Sequence, residues 1–198
     1  MSEFTNVLLY FLAAAFFQNL VLTTGIGTAL ALRLTRRPEN RVTFAVCLLL
    51  FSVATVLCFH PIDRALGTGE TAKLLRPVIL IAISAVWFLL ATVILKHAAP
   101  RLYDNVRALL PYAAINTVVT GIGLIANHQF QAGLAVSVAL AAGASIGFFL
   151  VFLLLGEGID RMNHPEMPKA FAGLPSQLIY LGIIALALCG FAADISFI

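Results

Sequence analysis

Six long apolar stretches, separated by polar connectors, constrain the fold of this 198-residue chain more than any other feature. A helix needs about 20 mostly apolar residues to cross a bilayer, so each stretch is a candidate transmembrane helix. With 61% hydrophobic and only 11% charged residues, the chain has too little polar surface for a water-soluble domain. We therefore expect an all-α polytopic membrane protein whose single transmembrane domain covers residues 1–198. The six stretches are roughly 6–32, 42–59, 77–95, 109–127, 132–155 and 175–195.

The connectors between these stretches predict the orientation in the membrane. The three connectors on the side away from the termini hold nine Lys and Arg residues, whereas the opposite side holds three, Arg64, Lys73 and Arg76. Because Lys and Arg are enriched on the cytoplasmic side, both termini are predicted to lie outside. The connector 60–76 is then expected to be an external loop. The net charge of +3 follows from this topology, and nucleic acid is not an expected partner, since no basic patch is interleaved with aromatic residues.

Two of the apolar stretches contain nearly the same polar and glycine-rich sequence. The first stretch has Asn19 followed by Thr24, Gly25 and Gly27, and the fourth has Asn116 followed by Thr and the same Gly-Ile-Gly. The two Asn residues lie 97 positions apart (19 to 116), which is half of the chain. The pattern therefore indicates two repeats, at about 1–96 and 97–198.

Three spans per repeat place the second repeat in the opposite orientation across the membrane. Inverted repeats are common in transport proteins, whose sites lie near the midplane where paired helices are interrupted. Asn, Thr and two glycines weaken a helix, so we expect helices 1 and 4 of a 3+3 inverted repeat to be interrupted there. The alternative is that the glycines only allow close helix packing. The residues expected to form a polar pathway near the midplane are Gln18, Asn19, Thr24, Gly25, Gly27, Asn116, Thr117, Thr120, Gly121 and Gly123.

Three further segments give the chain a resemblance to a known family. The run Phe17 to Leu22 followed by Gly27, then Leu110-Pro111 before Asn116, and the ending from Pro168 to Phe191 resemble RnfA/NqrE-type membrane subunits. These subunits belong to Rnf and Na⁺-translocating NADH:quinone oxidoreductase complexes. The resemblance covers essentially the full length and implies a prokaryotic inner-membrane location.

The resemblance also implies partners and a cofactor. Members of this family pair with an inverted sister subunit of the RnfE/NqrD type, and the two hold one [2Fe–2S] cluster through cysteines of their half-helices. Four thiolates are the usual ligands of such a cluster. In this chain the family's cysteine positions fall at Ala29 and Thr117. The sequence therefore predicts that the chain itself holds no cofactor.

No other ligand set is apparent from the sequence. The three cysteines, Cys47, Cys58 and Cys189, lack the spacing of a metal site and are expected to pack as small apolar side chains. The four histidines lie at span ends or in connectors, and no Asp or Glu lies deep in a span. Neither a metal site nor a catalytic residue is therefore expected.

Two main functions remain open at this point. The first is a non-catalytic membrane subunit of an Rnf/Nqr-like complex, forming half of a pseudo-symmetric broken-helix core for electron and cation transfer. The second is a stand-alone secondary transporter or channel-like protein that keeps this fold without electron transfer, which the missing cysteines favour. A scaffold or assembly protein is a third possibility.

Overall fold

The structure is a computed structural model, which describes residues 3–17, 19–23, 25, 27–28, 31, 41–67, 69–128, 133–162, 168, 171 and 173–192. The described residues form helices and turns and contain no strand, so the prediction of an all-α protein is confirmed. The elements are α1 (Glu3–Leu12), a π-helical segment (Ala13–Phe17), α2 (Leu20–Thr23), α3 (Arg41–Leu66), α4 (Glu70–Ala98), α5 (Pro100–Val106), α6 (Leu110–Ala114), α7 (Thr117–His128), α8 (Leu134–Met162) and α9 (Leu174–Ala192).

Three helices in the described part of the chain are long and apolar enough to cross a membrane. They are α3, α4 and the Leu134–Gly158 part of α8, which correspond to the second, third and fifth predicted spans. A fourth span is possible if α5 and the helices from Leu110 to Ala126 count as one span, which is bent by 70°. Two shorter apolar helices, Glu3–Phe16 and Leu174–Leu188, lie in the first and sixth predicted spans. Six complete spans remain a prediction.

Most of the connector 60–76 is helical, so the prediction of a loop there is wrong, whereas its external location remains a prediction. Helix α3 continues past Pro61 to Leu66, and α4 already begins at Glu70, so only residues 67–69 lie between the two helices. Gly67, the first of these residues, has a φ of +70°, which glycine adopts with little strain. The polar residues of the connector pair across the hairpin, since Arg76 Nε donates to Asp63 Oδ1 at 2.5 Å and Arg76 Nη2 donates to the Gly67 carbonyl at 2.9 Å. Pairing of these charges allows both helices to extend.

Helix α8 lies at the centre of the described structure. It contacts α1, the π-helical segment, α2, α3, α7 and α9. Its most apolar stretch is 61% buried within the protein, compared with 11% for that of α4, which lies at the periphery. Helix α3 packs antiparallel to α8 through Phe44, whose ring centroid lies 5.8 Å from that of Phe148. One end of this pair is fixed by the Arg41 guanidinium, which lies 5.6 Å from the centroid of the Phe152 ring.

Candidate functional site

The first helix is interrupted at Asn19. Helix α1 gives way to the π-helical segment Ala13–Phe17, and α2 begins at Leu20. π-Helical turns are rare and often occur at functional sites. The Asn19 carbonyl oxygen starts α2 by accepting the backbone N–H groups of Leu22 at 3.0 Å and Thr23 at 2.9 Å. We call this interruption the first break.

The Asn19 side chain connects the first break to α8. Its amide is 4% exposed, and Nδ2 donates to the Gly147 carbonyl at 2.7 Å and to the Ala15 carbonyl at 3.4 Å. Gly147 lies near the middle of the apolar part of α8. A Cβ at Gly147 would lie only 2.7 Å from the Ala15 oxygen and 2.9 Å from Asn19 Nδ2. The first break can therefore approach α8 this closely only because residue 147 has no side chain.

The fourth predicted span is interrupted at Asn116. Helix α6 ends at Ala114, and α7 begins at Thr117. The Asn116 Oδ1 accepts the backbone N–H of Val118 at 3.0 Å, which is the contact of a helix N-cap. The Asn116 carbonyl accepts the N–H groups of Val119 and Thr120 at 3.0 and 3.3 Å. We call this interruption the second break.

The second break retains a buried donor without a partner. The Asn116 side chain is 4% exposed, and its Nδ2 has no hydrogen-bond partner within the described part of the chain. The Val118 N–H can bond only to an acceptor, so the Asn116 amide must be oriented with its oxygen towards Val118. The NH₂ group of the same amide is then the group without a partner. Ile115 and Thr117, on either side of Asn116, are exposed. The second break therefore lies at the surface of the chain, with a donor available just beneath it.

The two breaks share one hydrogen-bonding pattern. In each, the Asn carbonyl also accepts the hydroxyl of the Thr four residues later, at 2.9 Å from Thr23 and 3.2 Å from Thr120. Thr23 is therefore the structural counterpart of Thr120, although alignment on Gly-Ile-Gly pairs Thr120 with Thr24. Counting from the Asn instead of from the glycines would have found it in the sequence. Gln18 and Thr24 of the predicted pathway lie outside the described residues.

The glycines of the two repeats have different conformations. Gly25 and Gly27 have φ values of +73° and +85°, as expected at an interrupted helix. Gly121 and Gly123, by contrast, lie within α7, so the fourth span is interrupted at Asn116 and not at these glycines. A Cβ at Gly123 would lie 2.6 Å from Leu80 Cδ2, which shows that this glycine allows α4 and α7 to pack closely. In the second repeat Gly123 thus allows close helix packing.

The two breaks meet beside α8. A Cβ at Gly27 would lie 2.6 Å from Val118 Cγ2 and 3.1 Å from Phe148 Cε2. Val118 is the residue whose N–H is capped by Asn116, and Phe148 adjoins Gly147, the partner of Asn19. Gly27, which follows the first break along the chain, therefore contacts Val118 at the start of α7. Two interruptions that are distant in sequence form one site.

The ligands that the site offers are amide, hydroxyl and backbone groups. Thr117 is the exposed first residue of α7, and its Oγ1 lies 3.5 Å from Asn116 Oδ1. Ala29 lies outside the described residues, whereas Cys47 and Cys58 are half-buried on α3 and not at either break. The described residues contain no group of three His, Cys, Asp or Glu side chains that could hold a metal ion. This donor set does not fit an iron–sulfur cluster, which requires thiolate or imidazole ligands.

The sequence is similar to membrane subunits of ion-translocating complexes. Residues 7–194 match the family described as "Rnf-Nqr subunit, membrane protein". A subunit of the "Ion-translocating oxidoreductase complex" of Histophilus somni (strain 2336) is 27% identical over 94% of this chain and 96% of that protein. A subunit of the "Na(+)-translocating ferredoxin:NAD(+) oxidoreductase complex" of Acetobacterium woodii is 26% identical over 91% of this chain and 94% of that protein. The match covers both breaks and all of the described helices from α2 to α9, so this chain belongs to the Rnf-Nqr family of membrane subunits.

Proposed function

We propose that the chain is a membrane subunit of an ion-translocating electron-transport complex and forms half of its pseudo-symmetric broken-helix core. Its six spans would form a 3+3 inverted repeat, paired with a sister subunit of the RnfE/NqrD type. The observation that carries this proposal is the meeting of two Asn-started half-helices, one from each half of the chain, beside α8. Family membership supports the type of complex.

The second break supplies the surface at which the sister subunit would pack. Ile115 is 59% exposed and Thr117 is also exposed, although both lie within a predicted span. The buried Asn116 Nδ2 is a donor and therefore requires an acceptor, such as a carbonyl oxygen or a water molecule. A neighbouring subunit with its own interrupted helix has free carbonyl groups of this kind. Cations crossing this core would be guided by the pathway residues through hydroxyl and carbonyl oxygens.

We further propose that this chain contributes no ligand to an iron–sulfur cluster, so that redox catalysis belongs to other subunits. We expect the chain, purified with its sister subunit, to show no stoichiometric iron, acid-labile sulfide or [2Fe–2S] EPR signal. The matched variant Ala29→Cys/Thr117→Cys introduces thiols at the two positions where the family resemblance implies cluster ligands. A stoichiometric cluster in the unmodified pair would contradict the proposal, and a cluster gained only by the variant would support it.

A stand-alone transporter is the second candidate, and the lack of cysteines at Ala29 and Thr117, where the family resemblance implies cluster ligands, favours it. Copurification distinguishes the two functions. A subunit of a complex should be recovered with flavoprotein and ferredoxin-like subunits when isolated from its native membrane in mild detergent. Recovery of the chain alone, with cation flux in vesicles, would favour the transporter.

The proposed orientation places both termini outside the cell. We expect a cysteine-free protein carrying Arg101→Cys to react with an impermeant thiol reagent only after the cells are permeabilised, because α5 would be cytoplasmic. The matched variant Glu70→Cys, at the other end of α4, should react in intact cells. Both positions are exposed at the ends of described helices. The reverse labelling pattern would show that the termini lie in the cytoplasm and would contradict the proposed orientation.

A further inference from the structure

Three buried hydroxyl groups on α3 and α8 have no hydrogen-bond partner among the described residues. They are those of Ser52, Thr55 and Ser137, and each residue is 0% exposed. Other hydroxyls in the same helices or their neighbours bond to their own helix: Ser145 donates to the Ala141 carbonyl at 2.8 Å, and Thr92 donates to the Phe88 carbonyl at 2.8 Å. This is the usual way in which Ser and Thr are satisfied in a transmembrane helix. The three exceptions therefore need another partner.

The helix register places two of these hydroxyls at the same depth. Helices α3 and α8 are antiparallel, and their register is fixed by the contacts of Phe44 with Phe148 and of Arg41 with Phe152. Thr55 lies 11 residues beyond Phe44 (55 − 44), and Ser137 lies 11 residues before Phe148 (148 − 137). Eleven residues are about three helical turns, so each residue lies on the same face as its Phe and at the same depth as the other.

Ser52 lies one turn from Thr55, on the side nearer Phe44. It is as deeply buried as the other two residues. The trio is separate from the breaks, since it lies beyond the Phe44–Phe148 contact, towards Leu66 and Leu134. We call these three residues the hydroxyl cluster.

A buried polar group that bonds to nothing destabilises the fold, and a Val or Ala of similar shape would avoid that cost. A ligand that satisfies the cluster must both donate and accept, because each hydroxyl has one donor and two acceptor positions. A bare cation would lack a compensating charge, since the described residues of α3 and α8 at this depth include no carboxylate. A water molecule needs two to four polar partners and carries no charge.

We propose that the hydroxyl cluster is a binding site for ordered water between α3 and α8. The water would bridge Thr55 and Ser137 and bond to Ser52 one turn away. Such a site would place a polar, hydrated position inside an otherwise apolar helix interface. It uses none of the residues assigned to the breaks and does not depend on the proposed function.

The sign of a stability change tests this proposal. Thr55→Val keeps the shape of the side chain and removes its hydroxyl, and Ser137→Ala does the same on α8. If the hydroxyls hold water, we expect each variant to lower the thermal unfolding midpoint of the purified full-length chain by about 2–4 °C, with the double variant less than additive. If the hydroxyls are dry, removing them should leave the midpoint unchanged or raise it, which would overturn the proposal.

Controls separate water from a cation and from a general loss of hydroxyls. The unfolding midpoints are measured in sodium, potassium and choline chloride. If one cation alone raises the midpoint and Thr55→Val abolishes this effect, the site binds that cation and the water proposal is overturned. Thr92→Val is the matched control, because its hydroxyl bonds within its own helix. Should a variant fail to fold, high-resolution density of the unmodified protein decides: a water peak within ~3 Å of two hydroxyls supports the site, and direct hydroxyl–hydroxyl bonds overturn it.

Discussion

Gly147→Ala is expected to lower the free energy of unfolding by about 2–4 kcal/mol, although alanine is the better helix former. The added Cβ would lie 2.7 Å from the Ala15 carbonyl oxygen and 2.9 Å from Asn19 Nδ2. Both neighbours belong to the first break: the Ala15 oxygen is a backbone atom, and Asn19 Nδ2 is held in place by its hydrogen bond to the Gly147 carbonyl. The π-helical segment would have to move away from α8, which breaks the 2.7 Å bond from Asn19 to the Gly147 carbonyl.

Two other glycines provide matched controls for this substitution. Gly182 and Gly190 lie in α9, and a Cβ at either position would have no heavy atom within 4 Å apart from the backbone of its own helix and its chain neighbours. Gly182→Ala and Gly190→Ala should therefore be neutral or stabilising by up to about 1 kcal/mol, as helix propensity alone predicts. Denaturation of the full-length protein in detergent, followed by circular dichroism, measures all three variants. Equal stability of Gly147→Ala and the controls would show that the first break does not depend on close packing against α8.

Gly143 extends the same packing surface by one turn. A Cβ there would meet the Phe11 carbonyl oxygen and the Ala14 Cβ. Gly143 and Gly147 form a small-x-x-x-small pattern, which allows transmembrane helices to approach closely. This pattern is visible in the sequence, but its partner is not. Only the fold shows that it receives the interrupted first helix.

The sequence predicts the continuous spans and the position of both interruptions because these depend on local properties. The length of an apolar run is sufficient for α3, α4 and α8, and a buried Asn followed by Thr marks both breaks. The glycine conformations could not be predicted in this way. Gly25 and Gly27 take positive φ where the chain leaves α2, whereas Gly121 and Gly123 lie within α7, where Gly123 packs against Leu80 of α4.

The hairpin between α3 and α4 depends equally on tertiary contacts. Pro61 and the charged residues after it read as a loop in the sequence, but the pairing of Asp63 with Arg76 allows the helices to continue. The hydroxyl cluster has no sequence signal at all. A Ser or Thr that bonds to its own helix and one that does not are the same residue in the sequence, and only the packing of α3 on α8 distinguishes them.

Asn19 and Asn116 occupy equivalent places in the two repeats, yet their side chains have different partners, and substitution should separate their roles. Asn19→Ala is expected to cost about 1–3 kcal/mol, because it removes a buried hydrogen bond between two helices. Asn116→Ala should cost about 1 kcal/mol, since it removes a helix N-cap. The second loss is partly offset, because the unpaired Nδ2 is removed with it.

Serine at each position provides the decisive comparison. Serine is as good an N-cap as asparagine, so Asn116→Ser should recover the stability that Asn116→Ala loses. Asn19→Ser should recover little, because its shorter side chain cannot span from the first break to the Gly147 carbonyl. Thermal unfolding of the four variants measures this difference, and equal recovery at both positions would mean that the two side chains act alike. If Asn116→Ser is stable alone but no longer copurifies with its sister subunit, the spare Nδ2 donor is used in the assembled complex.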